Sequence, residues 1–270
     1  MYSDFHLHSR FSPDSTQDPE MIVLQAIDLG MKSICITDHQ DLDYPAIPDL
    51  ETQPLFMIDP REYFWVWNSL REKYKNEIEI CIGLEAGIEE HTAKEQTQRT
   101  QDEPYDFIIN SCHVASRKYP FYQDFFNACG QQKGMRIYLE NVYSNVCSFS
   151  NYSVAGHLDF LLRYAPDRED YRPEENMDII EKILKKVISD GKGIEANSAG
   201  FRNGLNEPNP CRLILEKYHA LGGDIITIGS DAHTREDIGA NFKETGDMLK
   251  DIGFKYYCTF KERQPQFHML

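Results

Sequence analysis

Short apolar runs alternate along this chain with longer stretches of helical period. Ser33-Ile34-Cys35-Ile36-Thr37, Asp106-Phe107-Ile108-Ile109 and Ile225-Ile226-Thr227-Ile228 are continuous apolar runs, the pattern of strands buried on both faces. Ser3 to His8, Ile78 to Ile88, Val154 to His157 and Gly193 to Asn197 supply four more strand candidates. Between them, apolar residues recur every three or four positions. Asp18-Pro19-Glu20 opens a first helix, with Asp as the cap and Pro at the first helical position. Ile22, Val23, Ala26, Ile27 and Leu29 form its apolar side, and Gly30 is its stop. Asp59-Pro60 opens a second helix, whose Phe64, Trp67, Leu70 and Tyr74 stripe reads as core. Ile179, Ile180, Ile183, Leu184, Val187 and Ile188 mark another, closed by Gly191. Asn209-Pro210 reads as the cap of a helix carrying Leu213, Tyr218 and Leu221, which Gly222-Gly223 ends. Residues 41–58 read as a loop, 89–104 as a polar stretch with a short helix, and 117–150 as a loop-and-helix segment.

Alternating strands and helices imply parallel βαβ units. Seven strands between Ser3 and Ile228 fit one α/β barrel across residues 1–270 better than an open sheet. In such barrels the chemistry sits at the C-terminal ends of the strands. Composition narrows the partners. Hydrophobic residues make up 41% and charged residues 27%, as in an ordinary folded protein, and no apolar run of about 18 residues predicts a membrane span. The first residues show no secretory signal. A net charge of -16 argues against nucleic-acid binding, though not against a small anionic substrate met by metal ions. Seven cysteines without a C-x-x-C pair read as reduced, mostly packing thiols of a cytoplasmic protein.

The ends of the predicted strands carry the candidate chemistry. His6 and His8 form an i, i+2 pair, which an extended strand projects to one face. His39, Glu85, His113 and His157 each follow an apolar run, and Asp231-Ala232-His233 repeats the i, i+2 spacing. One histidine after a strand is usually structural; six of the nine at one end of one barrel are a site. Imidazoles mixed with carboxylates suit zinc, manganese or iron. The ligands outnumber what one tetrahedral ion takes, so more than one ion is expected. Paired ions are typical of phosphate-ester hydrolysis, where they lower the pKa of bound water to form hydroxide. His91, His219 and His268 follow no strand and read as structural or solvated. Asp38, Asp159 and Glu195 are placed to orient ligand imidazoles or to cap loops.

His6-x-His8, Ser12-Pro13-Asp14, Thr37-Asp38-His39, Gly83-x-Glu85, His113, Gly156-His157-x-Asp159 and Ser230-Asp231-Ala232-His233 resemble, as an ordered set, the motifs of the PHP (polymerase and histidinol phosphatase) superfamily. The histidinol-phosphatase branch is the nearest in pattern, including Glu195-x-Asn197 and the segment from Phe260 to Pro265. The resemblance implies a distorted (β/α)7, TIM-like barrel of PHP type holding three divalent ions. It implies that His6, His8, Glu85 and Asp231 surround the first ion. Glu85 bridges to a second, held also by His113 and His157, and Asp14, His39 and His233 take the third. Many relatives carry histidine where this chain has Asp14, a harder ligand that favours manganese or iron. Arginine suits phosphate through its planar fork, and similar arginines contact the substrate phosphate in that branch. Arg163 and Arg202 are the corresponding candidates, with Arg117 and Tyr122 behind them. The implied activity is hydrolysis of L-histidinol phosphate, with Asp231 or His233 protonating the leaving group. Other phosphate esters, nucleic-acid ends and a non-catalytic metal-stabilised module are the alternatives.

Overall fold

The computed structural model describes residues 2–46, 55–115 and 123–270. Strands β1 (Asp4–Leu7), β2 (Ser33–Ile36), β3 (His39–Asp41), β4 (Glu79–Gly87), β5 (Phe107–Ser111), β6 (Val154–Ala155), β7 (Gly193–Asn197) and β8 (Ile226–Gly229) form one parallel sheet in the order β1-β2-β4-β5-β6-β7-β8. β2 and β3 both pair with β4 and act as one strand interrupted at Thr37-Asp38, so the sheet has seven positions. It closes where β1 meets the chain after β8: Asp231 N donates to His6 O at 2.8 Å and His8 N to Ala232 O at 3.0 Å. The fold is therefore the expected seven-stranded α/β barrel.

Helices α1 (Pro19–Asp28), α2 (Pro60–Tyr74), α3 (Ala93–Gln101), α4 (Gln123–Cys129), α5 (Gln131–Ser148), α6 (Met177–Ser189), α7 (Ala199–Arg202), α8 (Arg212–Ala220) and α9 (Phe242–Ile252) follow in chain order. The Asp18 and Asp59 side chains accept backbone N–H groups of α1 and α2, as their positions before Pro19 and Pro60 predict. Trp67, Leu70 and Tyr74 are buried in the outer core, confirming the aromatic stripe as packing. All seven cysteines are free. No helix of the described residues is long and apolar enough to cross a membrane.

Two local expectations are corrected and one element is new. Residue 41, expected to open the loop of residues 41–58, is instead the last residue of β3, because β4 is long enough to pair beyond the break in β2. Asn209-Pro210 does not cap α8, which starts at Arg212 after Cys211. Asn209 is still extended there, exchanging backbone hydrogen bonds of 2.8 and 2.9 Å with Asn197. After α9 the chain forms an antiparallel hairpin, β9 (Tyr256–Lys261) and β10 (Gln264–Met269), that the apolar pattern did not announce.

The hairpin closes the N-terminal end of the barrel. Cys258 and Phe260 join Phe5, Cys35, Cys81, Phe107, Ile109 and Val154 in a separate inner cluster. β1 carries one extra residue against β2: Asp4 pairs Ile34, yet Leu7 pairs Ile36. Regular alternation puts residues 5 and 7 on one side, but Phe5 belongs to the inner cluster and Leu7 to the outer core. The bulge turns both Phe5 and His6 inward. The lower barrel is thereby filled with apolar side chains, and the histidine pair faces the upper end.

Candidate metal centre

Every strand-end ligand expected from the sequence arrives at the same end of the barrel. His6 Nε2 and His8 Nε2 lie 3.2 and 3.5 Å from Glu85 Oε2, and 3.7 and 3.5 Å from Asp231 Oδ1. A tetrahedral ion with bonds of 2.0–2.2 Å has ligand–ligand edges of about 3.3–3.6 Å, close to these four distances, and His6, His8 and Glu85 form one compact ligand group. Among the described residues, His6 Nε2, His8 Nε2 and Glu85 Oε2 are buried with no hydrogen-bond partner. Buried polar atoms left unpaired are costly and call for an ion or water. The other carboxylate oxygen, Glu85 Oε1, lies 3.1 Å from His113 Nε2 and 2.9 Å from His157 Nε2. Asp14 Oδ2 lies 3.4 Å from His39 Nε2 and 3.5 Å from His233 Nε2. The chain thus supplies three adjoining donor groups, the first two sharing Glu85 and the third meeting it through His39 Nδ1 at 2.9 Å, and the donor chemistry fits divalent metal.

The imidazoles are held from behind. His6 Nδ1 lies 2.6 Å from Glu195 Oε1, and His113 Nδ1 lies 2.7 Å from Asp41 Oδ1. A carboxylate in this position fixes the ring so that the other nitrogen faces the metal. Burial works against the charge of Glu85, but His6, His113 and His39 outweigh it and hold its carboxyl well below the usual range. Burial also opposes charge on His6, and Glu195, Glu85 and Asp231 more than reverse that. His113 is raised to about 10, with burial again opposed by Asp41 and Glu85. At His8 burial, then the charges of His233 and His39, push the pKa well below its ordinary value. Its imidazole is neutral and has a lone pair to give.

Above the cluster lies a cavity of about 340 Å³, lined by Tyr44, Phe56, Phe160, Tyr164, Arg163 and Arg202 besides the donor residues. Its size suits a small ligand. Residues 4–199 match the PHP domain family. The chain belongs to that family. It is 32% identical over 259 residues to a histidinol-phosphatase of Lactococcus lactis, covering 95% of this chain and 93% of that one. It is 31% identical over 257 residues to a probable histidinol-phosphatase of Thermotoga maritima, covering 94% and 93%. A crystal structure of the Lactococcus lactis histidinol phosphate phosphatase, complexed with zinc, L-histidinol and phosphate, superposes with a TM-score of 0.90. It is 30% identical and covers 98% of this chain and 100% of that one.

Within this PHP barrel the arginines differ. Arg163 is buried, and its guanidinium donates to Asn209 Oδ1 at 2.8 Å, Asp231 Oδ2 at 3.0 Å and Asn197 Oδ1 at 3.0 Å. Three of its five N–H groups are engaged, which leaves two for a ligand. Arg202 is more open; its Nη2 donates to the Asp231 carbonyl at 2.6 Å and its Nε lies 3.6 Å from Asp237. Arg117 and Tyr122 lie outside the described residues. Asp159 orients no imidazole: it accepts from Asn209 Nδ2 and Cys211 N and so holds the Asn209 that holds Arg163. Sequence reasoning missed Asp41, although His39-x-Asp41 repeats the i, i+2 spacing of His6-x-His8. His91, His219 and His268 stand apart from the site, against Asp43, Phe254 and Thr259 respectively.

Proposed function

We propose that this protein is a metal-dependent histidinol-phosphatase, which uses water to split L-histidinol phosphate into L-histidinol and inorganic phosphate. The observation that carries the substrate is the match, over nearly the whole chain, to the structure holding zinc, L-histidinol and phosphate. Glu85, shared by two of the three donor groups, supports the metal requirement. His6, His8, Glu85 and Asp231 hold a first divalent ion, Glu85, His113 and His157 a second, and Asp14, His39 and His233 a third. Donor sets that mix imidazole and carboxylate suit zinc, manganese or iron, and the carboxylate of Asp14 favours manganese or iron at the third group. When bound, such ions polarise the phosphoryl oxygens and lower the pKa of water.

The chain's own groups do the rest. Arg202, and the two free N–H groups of Arg163, donate to the phosphoryl oxygens and keep phosphorus over the donor cluster. Asp231 or His233 delivers the proton that the leaving alkoxide needs. Tyr44, Phe56, Phe160 and Tyr164 supply ring faces for the imidazole end of the substrate. Residues 1–270 form a single PHP metallophosphoesterase domain that acts in the cytoplasm. Phosphate release from histidinol phosphate by zinc- or manganese-loaded protein, beside a panel of other phosphomonoesters, tests this reading. A kcat/KM on the order of 10⁴ M⁻¹s⁻¹ or more, confined to histidinol phosphate, is expected. Preference for another ester removes the substrate and keeps the chemistry; no hydrolysis of any ester removes the enzyme.

A further inference from the structure

His8 differs from its neighbours in what stands behind it. His6 and His113 have a carboxylate directly on Nδ1, whereas His8 Nδ1 faces the Ser12 hydroxyl at 3.1 Å. That hydroxyl lies 2.6 Å from Asp38 Oδ1 and also accepts the backbone N–H of His39 at 3.1 Å. Asp38 is fully buried and anchored by Ser9, whose N and Oγ both donate to it at 2.7 Å.

A hydroxyl has one proton and two lone pairs. With the proton directed to Asp38 and one lone pair taken by His39 N–H, the remaining lone pair demands a donor. His8 Nδ1 is therefore the protonated nitrogen, and its lone pair is on Nε2, the atom 3.5 Å from both Glu85 and Asp231. The opposite tautomer aims an N–H into the donor cluster and cannot ligate. The same hydroxyl fixes the backbone at His39, whose ring faces Asp14. We propose that Ser12, backed by Asp38, is a positioning residue that sets the tautomer of His8, ties it to His39, and thereby governs metal retention. This inference rests on the reading of the cluster as a metal site.

The test follows zinc leaving the full-length, zinc-loaded protein into excess chromogenic chelator, with circular dichroism of the metal-free proteins as the check on folding. Partners of this kind typically change metal affinity by about 10–100-fold, and release from Ser12→Ala is expected to speed up by that factor. Ser12→Thr keeps the hydroxyl and stays close to the wild-type rate. Asp38→Asn keeps the oxygen that meets Ser12 but loses the charge, and accelerates release by a smaller factor. Combining Ser12→Ala with Asp38→Asn releases zinc no faster than Ser12→Ala alone, because one relay is being broken twice. A wild-type rate in Ser12→Ala, equal acceleration in Ser12→Thr, or multiplying effects in the double variant each overturn the proposal. Wild-type protein that holds no zinc is a different failure, that of the metal reading itself.

Discussion

The Asp41 carboxylate fills the space above Gly87: a Cβ at residue 87 falls 1.8 Å from Asp41 Oδ1. The two residues are register partners in β3 and β4. Only a missing side chain at 87 lets Asp41 reach His113 Nδ1 at 2.7 Å. Gly87→Ala is therefore expected to push Asp41 away and free the His113 ring. Metal content, read by elemental analysis, and kcat/KM should fall together by about 10–100-fold. Full metal content in this variant would show that His113 does not depend on Asp41.

The two arginines should separate under truncation. Arg163 is buried and its partners Asn197, Asn209 and Asp231 are buried too. Removing it takes the guanidinium from Asp231 Oδ2, leaving only the Asn197 Nδ2 contact at 3.4 Å there, and unpairs Asn209 Oδ1, a loss of about 3 kcal/mol. Arg163→Ala should lower the denaturation midpoint strongly. Arg202 is partly exposed and gives up one hydrogen bond to a backbone carbonyl. Arg202→Ala should cost about 1 kcal/mol of stability but about 10²-fold in kcat/KM, with metal content unchanged. Equal stability losses, or unchanged kinetics in Arg202→Ala, would remove the distinction.

The barrel and its upper rim were legible because both follow from local rules. Apolar runs mark buried parallel strands, and every donor but Asp14 and His233 lies within two residues of a strand's end. What stayed hidden depends on distant partners. Asp41 sits in a polar triplet, His39-Gln40-Asp41, that is a strand only because β4 extends past the break in β2. The inward turn of His6 after an inward Phe5 comes from a bulge whose register is set by β2. The β9–β10 hairpin turns on Glu262 and Arg263, at φ 48° and 67°. Such turns usually announce themselves with Asn-Gly or Asp-Gly, and this one does not. Arg163 as a strut for Asp231 depends on Asn197 and Asn209, which only the closed fold brings near it.

Removing metal should cost stability as well as activity. Glu85, Asp231 and Asp41 are all buried at the donor end of the barrel. An ion that binds only the folded state stabilises it by about 2.7 kcal/mol at a hundredfold excess over Kd. Thermal melts of chelator-treated protein should rise stepwise as zinc or manganese is returned, with the midpoint climbing as concentration grows. A midpoint indifferent to metal would mean that the donor groups bind none in solution.

The lower end of the barrel should matter to folding and not to chemistry. Phe260 is 3% exposed, and its ring centroid lies 5.1 Å from that of Phe107 in the inner cluster. It comes from β9, so the hairpin acts as a plug. Phe260→Ala leaves a cavity between Phe107, Cys81 and Cys258, in a space bounded by strands that cannot collapse inward without breaking the ladder. Phe→Ala in a packed core costs about 3–5 kcal/mol, and the stiffness of the ring places this site at the upper part of that range. The donor cluster sits at the opposite end of the strands, so the folded fraction should keep its metal content and kcat/KM. Urea denaturation beside zinc analysis checks both halves. A small stability loss would show that the hairpin is an appendage, and a loss of metal would show that the two ends of the barrel are coupled.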